Sequence, residues 1–309
     1  MKKLGKIFTV SPGFKPTYFM TLLCLFAGCI KDDCPISKTD FQTIQLIPIW
    51  GQNIKKPEGI RITYYSLENN KFIQENIANT GGTTNIRKGK YRMFMYNNDS
   101  EKIRFRNISS YDTHEAYTGK INRPSYDNPV PGEETFDQPD ILWLGKIETF
   151  QITDETQKIF FNPVQVVKRY KGVIQVEGME NVQSIRGAMT GMMTAFRLNG
   201  REEEEKAGTV FFDASPSQNG TTFSFLSFGV FKGDEEGKSL KHYLTLEFLL
   251  PNGIVTRTFD VTHQMDSISQ GGLLDIDETI VLPPDTTGNN NGFNGNVNDW
   301  DEIYYPIDL

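Results

Sequence analysis

The chain has 309 residues, 38% of them hydrophobic and 12% aromatic, with a formal net charge of −7. That apolar share suits a packed core and excludes global disorder. The acidic balance leaves no electrostatic footprint for nucleic acid or anionic lipid head groups, so no nucleic-acid partner is expected.

The chain opens on Lys2, Lys3, Lys6 and Lys15, then a ten-residue apolar stretch at 18–27, then Gly28-Cys29. A basic leader, a short apolar run and small residues before a cut describe a secretory signal. The apolar run is half the roughly 20 residues that a membrane-crossing helix needs. A cysteine directly after Leu25-Phe26-Ala27-Gly28 resembles the bacterial lipobox, in which the thiol is diacylated before cleavage makes it the new N-terminus. Residues 1–28 are therefore expected as a lipoprotein signal peptide and Cys29 as the lipidation site. Acyl chains such as palmitate anchor firmly in pairs, since each buried CH₂ contributes about 0.8 kcal/mol. An ordinary cleaved signal with a chance cysteine is the plainer alternative.

Residues 29–40 read as a tether. Within it, Lys31-Asp32-Asp33 resembles the basic-then-acidic export signal of Bacteroidetes surface lipoproteins. The expected location is the outer membrane, lipid-anchored and exposed on its outer face. Losing residues 1–28 removes four lysines and no acids, which moves the charge from −7 to −11. Cys24 leaves with the signal and Cys29 is consumed by lipid, so only Cys34 remains as a thiol. One thiol builds no disulfide framework, and without a nearby histidine Cys34 reads as a bystander in the tether.

Strand patterns dominate the rest. Tyr91, Met93 and Met95 alternate with Arg92, Phe94 and Tyr96, and Ile103 and Phe105 alternate with Arg104 and Arg106. Leu244, Leu246, Phe248 and Leu250 lead into Pro251-Asn252-Gly253, and Val255, Arg257 and Phe259 follow, which predicts a hairpin. Leu274, Ile276, Glu278 and Ile280 form one more strand. Residues 185–197, with Gly187, Ala188, Gly191, Ala195 and three methionines, fit a strand or a short helix. Residues 122–139, with Pro124, Pro129, Pro131 and Pro139, read as a long loop inside the first domain. The expected class is all-β, with an N-terminal β-sandwich at 41–162 and a C-terminal β-sandwich at 163–283. Residues 284–298 read as a flexible linker. Residues 299–309 read as a C-terminal strand that closes its own second sandwich or pairs with a partner's sheet edge; the former is expected.

No catalytic constellation emerges. His114, His242 and His263 stand at no common metal-ligand spacing from one another or from Cys34. No nucleophile elbow and no phosphate-cradling loop occur. Asp275 with Asp277, or Asp137 with Asp140, have the residue types of glycosidase acids, but solvated strand faces account for them better. Glu202 to Glu205 read as a solvated loop, and the Asn- and Asp-rich tail lacks the glycine and glutamate of a calcium loop. No enzyme, no cofactor and no metal site are expected.

Several segments together resemble one family: Trp50, Pro57-Glu58-Gly59, Ile62-Thr63-Tyr64-Tyr65, Gly89-Lys90-Tyr91, Met95-Tyr96-Asn97, Gln183-Ser184-Ile185-Arg186-Gly187, Phe228-Gly229, Phe259-Asp260-Val261-Thr262-His263-Gln264 and Asp299-Trp300-Asp301-Glu302. Their order is similar to that of an uncharacterised Bacteroidetes lipoprotein family related to fimbrillin-like proteins and minor fimbrial anchor subunits. The resemblance implies two tandem transthyretin-like (Greek-key) sandwiches, a role in fimbrium assembly and cell adhesion, and no catalytic residues. It also implies fimbrial subunits as partners by β-strand addition, with the lipid anchor in the outer membrane. Filament subunits of such families resemble one another in losing an N-terminal strand to arginine-specific cleavage. Between Cys29 and Ile60 this chain has four lysines and no arginine, which fits a base that keeps its lipid. The alternative is a surface glycan-binding lipoprotein of a nutrient-uptake system, with Trp143 and Trp300 as stacking platforms. A surface hydrolase is the third reading, disfavoured by the missing constellation.

Overall fold

Apolar-polar alternation becomes strand almost throughout the computed structural model, which describes residues 40–52, 54–201, 207–232 and 240–284 and the backbone of 303–304. The protein is all-β and sandwich-like, as its sequence predicts.

The first core lies between two sheets. β1 (Phe41–Pro48) is the middle strand of three, flanked by β4 (Gly82–Arg87) and, in parallel, by β11 (Gln157–Phe161). Opposite stand β2 (Gly59–Ser66), β3 (Phe72–Ala78), β5 (Gly89–Asn97), β10 (Trp143–Ile152) and β12 (Val164–Gln165), in the order β12-β10-β5-β2-β3. Ile44 and Leu46 of β1 meet Ile60, Ile62 and Tyr64 of β2 and Tyr91, Met93 and Met95 of β5. The other face of β5 is covered too: Phe94 and Tyr96 pack with Tyr65, Tyr111 and Leu144 in a separate cluster. A strand covered on both faces has no need of polar alternation, which is why 93–96 reads as an unbroken apolar run.

The second core is wrapped by one sheet. Its path is β19 (Gly253–Asp260), β18 (Tyr243–Leu250), β14 (Ser184–Met193), β16 (Ala207–Ser217), β17 (Gly220–Ser227), β13 (Lys168–Glu177) and β20 (Gly272–Val281). Leu244 and Phe259 from one end share a cluster with Tyr170, Leu274 and Ile280 from the other, so the sheet curls over on itself. Glycine permits this on the inner face. A Cβ at Gly187 would lie 2.0 Å from the Phe212 ring, and one at Gly172 would lie 2.2 Å from the Phe223 ring. The helix α1 (Thr262–Ser267) contributes Met265 to the same cluster.

Residues 185–197 resolve as strands, β14 and then β15 (Ala195–Arg197). Residues 122–139 depart from expectation, because the loop contains β9 (Glu134–Asp137), which pairs in parallel with β16 of the second sheet. Four residues with one large apolar side chain are too few for a period to register, and the surrounding prolines masked the strand. β15 in turn pairs with β7 (Glu115–Thr118), itself paired with β6 (Ile103–Arg106). The backbone of β21 (Ile303–Tyr304) pairs with β8 (Ile121–Asn122), so that terminal strand joins the first half of the chain, not the second sheet. The first sheets end with β12, which pairs with β10, and β13 begins the curled sheet. The described residues from Gln42 onward form one compact unit.

Candidate functional site

The residues singled out for anchoring and export, Cys29, Lys31, Asp32 and Asp33, lie outside the described residues, as do residues 1–28, Cys34, Glu202 to Glu205, 285–298 and Trp300. Among the described residues no helix is long and apolar enough to cross a membrane, and no group of three His, Cys, Asp or Glu could hold a metal ion. The acid pairs have other work. Asp140 Oδ2 accepts bonds from Ser100 Oγ and the amides of Glu101 and Lys102, and Asp137 pairs with Lys102 at 2.8 Å. Asp275 and Asp277 stand exposed along β20.

β1 is the most firmly enclosed strand of the first core. Thr43 and Gln45 face out, while Ile44 and Leu46 are wholly buried. Its end is fastened by the Ile49 amide donating to Phe161 O at 2.8 Å. Trp50 Nε1 donates to Asn79 O at 2.7 Å, and the Trp50 ring meets Trp143 edge-on at 5.9 Å. Trp143 is thus half-buried structural packing. Gly81, at φ 100°, lets the backbone pass close to Leu46; a Cβ there would lie 2.3 Å from its carbonyl oxygen.

Sheet edges differ in how they are defended. On β20, Gln264 Nε2 donates to Asp275 O at 2.7 Å, and the Asp275 amide donates to Gln264 Oε1 at 2.8 Å. One side-chain amide thus occupies both backbone groups of an edge residue, and the register breaks just beyond it, between Val173 and Gln175 of the neighbouring strand. A side-chain plug and a bulge both blunt an edge. β19, paired with β18 along all eight of its residues, has no strand beyond it among the described residues and exposes Ile254.

The two cores are stitched through residues 121–137. Arg123 reaches Glu247 of β18 at 3.2 Å and lies 3.9 Å above the Phe211 ring, with both charged side chains nearly inaccessible. Burial pushes the Glu247 carboxyl up and the Arg123 guanidinium down, and each partner opposes the other's shift. Glu133 Oε1 accepts bonds from the Gly191 amide and Thr209 Oγ1, both at 2.9 Å; burial raises its carboxyl. His114, wholly buried among Tyr65, Phe94, Tyr96 and Phe105, closes the middle cluster. The Tyr65 hydroxyl donates to Ile108 O at 3.0 Å, so the 2.6 Å contact is His114 Nδ1–H donating to the Tyr65 oxygen. Nε2 is left without a partner, and burial lowers the imidazole to about 4. None of these groups is legible as a site in the sequence, because the partners of each come from strands distant in the chain.

The fold places the chain in the all-β, sandwich-like class of proteins. The chain belongs to the family described as a domain of unknown function (DUF5119), whose profile matches residues 28–213. It is 25% identical over 329 aligned positions to a Bacteroides ovatus protein named "Putative fimbrium anchoring subunit Fim4B", covering 93% of this chain and 96% of that one. A solved "putative adhesin" of the same species superposes with a TM-score of 0.62 at 21% identity, over 79% of this chain and 93% of that one, and shares the fold. The fimbrial anchor protein Mfa2 of Porphyromonas gingivalis is a more distant likeness, with a TM-score of 0.46 at 11% identity over 78% of this chain and 91% of that one. The resemblance to fimbrial anchor proteins of Bacteroidetes stands on the similarity to the Bacteroides ovatus protein along both chains.

Proposed function

We propose that this protein is an anchor or accessory subunit of a cell-surface fimbrium, non-catalytic, held in the outer membrane by lipid on Cys29 and routed outward by Lys31, Asp32 and Asp33. The observation that carries the reading is similarity along nearly the whole length of both chains to a protein named for fimbrium anchoring. The position of β1 supports a base that keeps its N-terminus. It is paired on both sides, and Arg61, the first arginine after Cys29, sits inside β2 with strands on either side. A protease specific for arginine has no site in the leading segment and would have to open the sheet to reach Arg61. Strand addition has an undefended edge in β19, whereas β20 is plugged by Gln264. The two cores are read as two sandwich domains, 41–162 and 163–283, locked by the crossing segments.

N-terminal mass spectrometry on protein from cells tests the anchor. The expected mature N-terminus is acylated Cys29, with Cys29→Ala released from the membrane. A mature N-terminus downstream of β1, or a Cys29→Ala variant that still carries a fatty-acid probe, would sink it.

A further inference from the structure

A cavity of about 170 Å³ opens at the mouth of the middle cluster, between the β2–β3 turn, the β6–β7 connection and Arg92 of β5. Both loops are fastened to the strands beneath them. The Leu67 amide donates to Lys90 O and the Ser66 amide to Lys71 O, each at 2.9 Å, and the Tyr65 hydroxyl reaches across to Ile108 O. Within the connection, the Ser110 amide donates to Asn107 O and the His114 amide to Ser110 O. Among the described residues, the non-glycine positions with positive φ are Asn70 and Asn107, each at 54°, and they lie in these two loops. Asparagine tolerates that left-handed conformation, which sharpens both turns. Unusual backbone held by its surroundings gathers at ligand sites.

The cavity is lined by an acid and a base side by side. Arg92 lies 4.9 Å above the Tyr111 ring, and its Nη1 stands 3.6 Å from Asp112 Oδ1, beyond hydrogen-bonding distance. The two side chains are 34% and 53% exposed, so a ligand can reach both. Ser109, Ser110 and Asn70 line the cavity as well, and half-exposed Leu67 adds an apolar wall. An anion here would meet the Asp112 carboxylate, and a cation would meet the Arg92 guanidinium. A neutral diol suits both: one hydroxyl donates to the carboxylate, its neighbour accepts from the guanidinium, and each bond is charge-assisted. The volume lies below the range for a drug-sized molecule and suits one ring-sized group. A pyranose also presents an apolar face of C–H groups to a wall such as Leu67. We propose that this cavity binds the neutral terminal pyranose of a glycan through two adjacent hydroxyls, held between Arg92 and Asp112. The proposal does not depend on the fimbrial reading, since a surface protein of either role could hold such a sugar.

Ligand-observed NMR titration of the full chain with the methyl glycosides of galactose, glucose and mannose, which mimic a chain end, tests it. Methyl galacturonoside serves as the acidic counterpart. Expected is binding of at least one neutral glycoside, about tenfold or more tighter than the acid. Asp112→Ala, at an exposed side chain, removes one charge-assisted bond and should weaken that binding about tenfold, with the thermal transition unchanged. Arg92→Gln gives an independent arm from the other side of the pair, and should weaken it by a similar factor. No binding of any neutral glycoside, parent-like binding in both variants, or tighter binding of the acid overturns the proposal.

Discussion

The two cores solve the same problem by different routes. The first sets three strands against five, and its middle strand β1 pairs with β11 across a gap of over a hundred residues, Ile44 opposite Gln157. The second curls a single sheet with tight hairpins from Leu250 to Gly253 and from Ser217 to Gly220, although its β13 and β20 also pair across a hundred residues, Tyr170 opposite Gly272. Local pairings close at small entropic cost; a long-range strand does so only once its neighbours are in place. The first core thus depends on an element that arrives from one end of the chain and is held by pairing and two buried side chains. The second has no such removable piece at its centre.

The largest effect expected from that contrast is in β1. Ile44→Ala with Leu46→Ala empties two fully buried positions on one face, and the pair should cost about 6 kcal/mol, less than additive because they share neighbours. Hydrogen exchange should lose protection in β4 and β11 first, with β13 to β18 still protected. Even loss across both cores would erase the distinction drawn between them.

Next comes the stitch. Arg123→Met removes the hydrogen-bonded partner of buried Glu247 and leaves Arg186, opposite it on β14, as its nearby cation, which should cost about 3 kcal/mol, whereas Arg123→Met with Glu247→Leu should recover most of it. Denaturant unfolding measures both. If the cores are coupled mainly here, the single variant should also split one unfolding transition into two. A single variant as stable as the parent would mean that the ion pair contributes nothing to the coupling.

The strands around both cores were legible because alternation and turn residues are local. The hairpin at 244–259, the strand at 103–106 and the all-β class follow from periods of two and from Pro251-Asn252-Gly253. What crosses between the cores was not legible. β9 carries a single large apolar side chain, Phe136, and β15 is three residues long, so neither has a period to detect. The helix α1 is six residues with no side-chain cap, too short for a helical period to show in the sequence. Arg123 carries no local signal of burial; its partner Glu247 stands 124 residues away.

The smallest effect, and the one that isolates the cluster between the cores, is the pH response of His114. Its imidazole is held to about 4 in the folded protein, against an ordinary value of 6.5 when unfolded, because burial disfavours the cation. A depressed folded value means that the unfolded chain binds the extra proton first as the pH falls. The neutral ring's stability is therefore fully present above pH 6.5 and is lost progressively down to about pH 4, a swing of about 3 kcal/mol. Nothing around the ring rescues the cation: its aromatic neighbours are Tyr65, Phe94, Tyr96 and Phe105, and the two tyrosines stay neutral because burial raises them. Glu133 and Glu247 act in the opposite sense, their raised carboxyls favouring the fold at low pH and losing that contribution as the pH rises. The histidine term must therefore be read as a difference. His114→Gln should be less stable than the parent at neutral pH, and the gap in denaturant-unfolding free energy should close by about 3 kcal/mol between pH 7 and pH 4. A gap that stays constant over that range would mean that His114 titrates normally and that water reaches the ring in the folded protein.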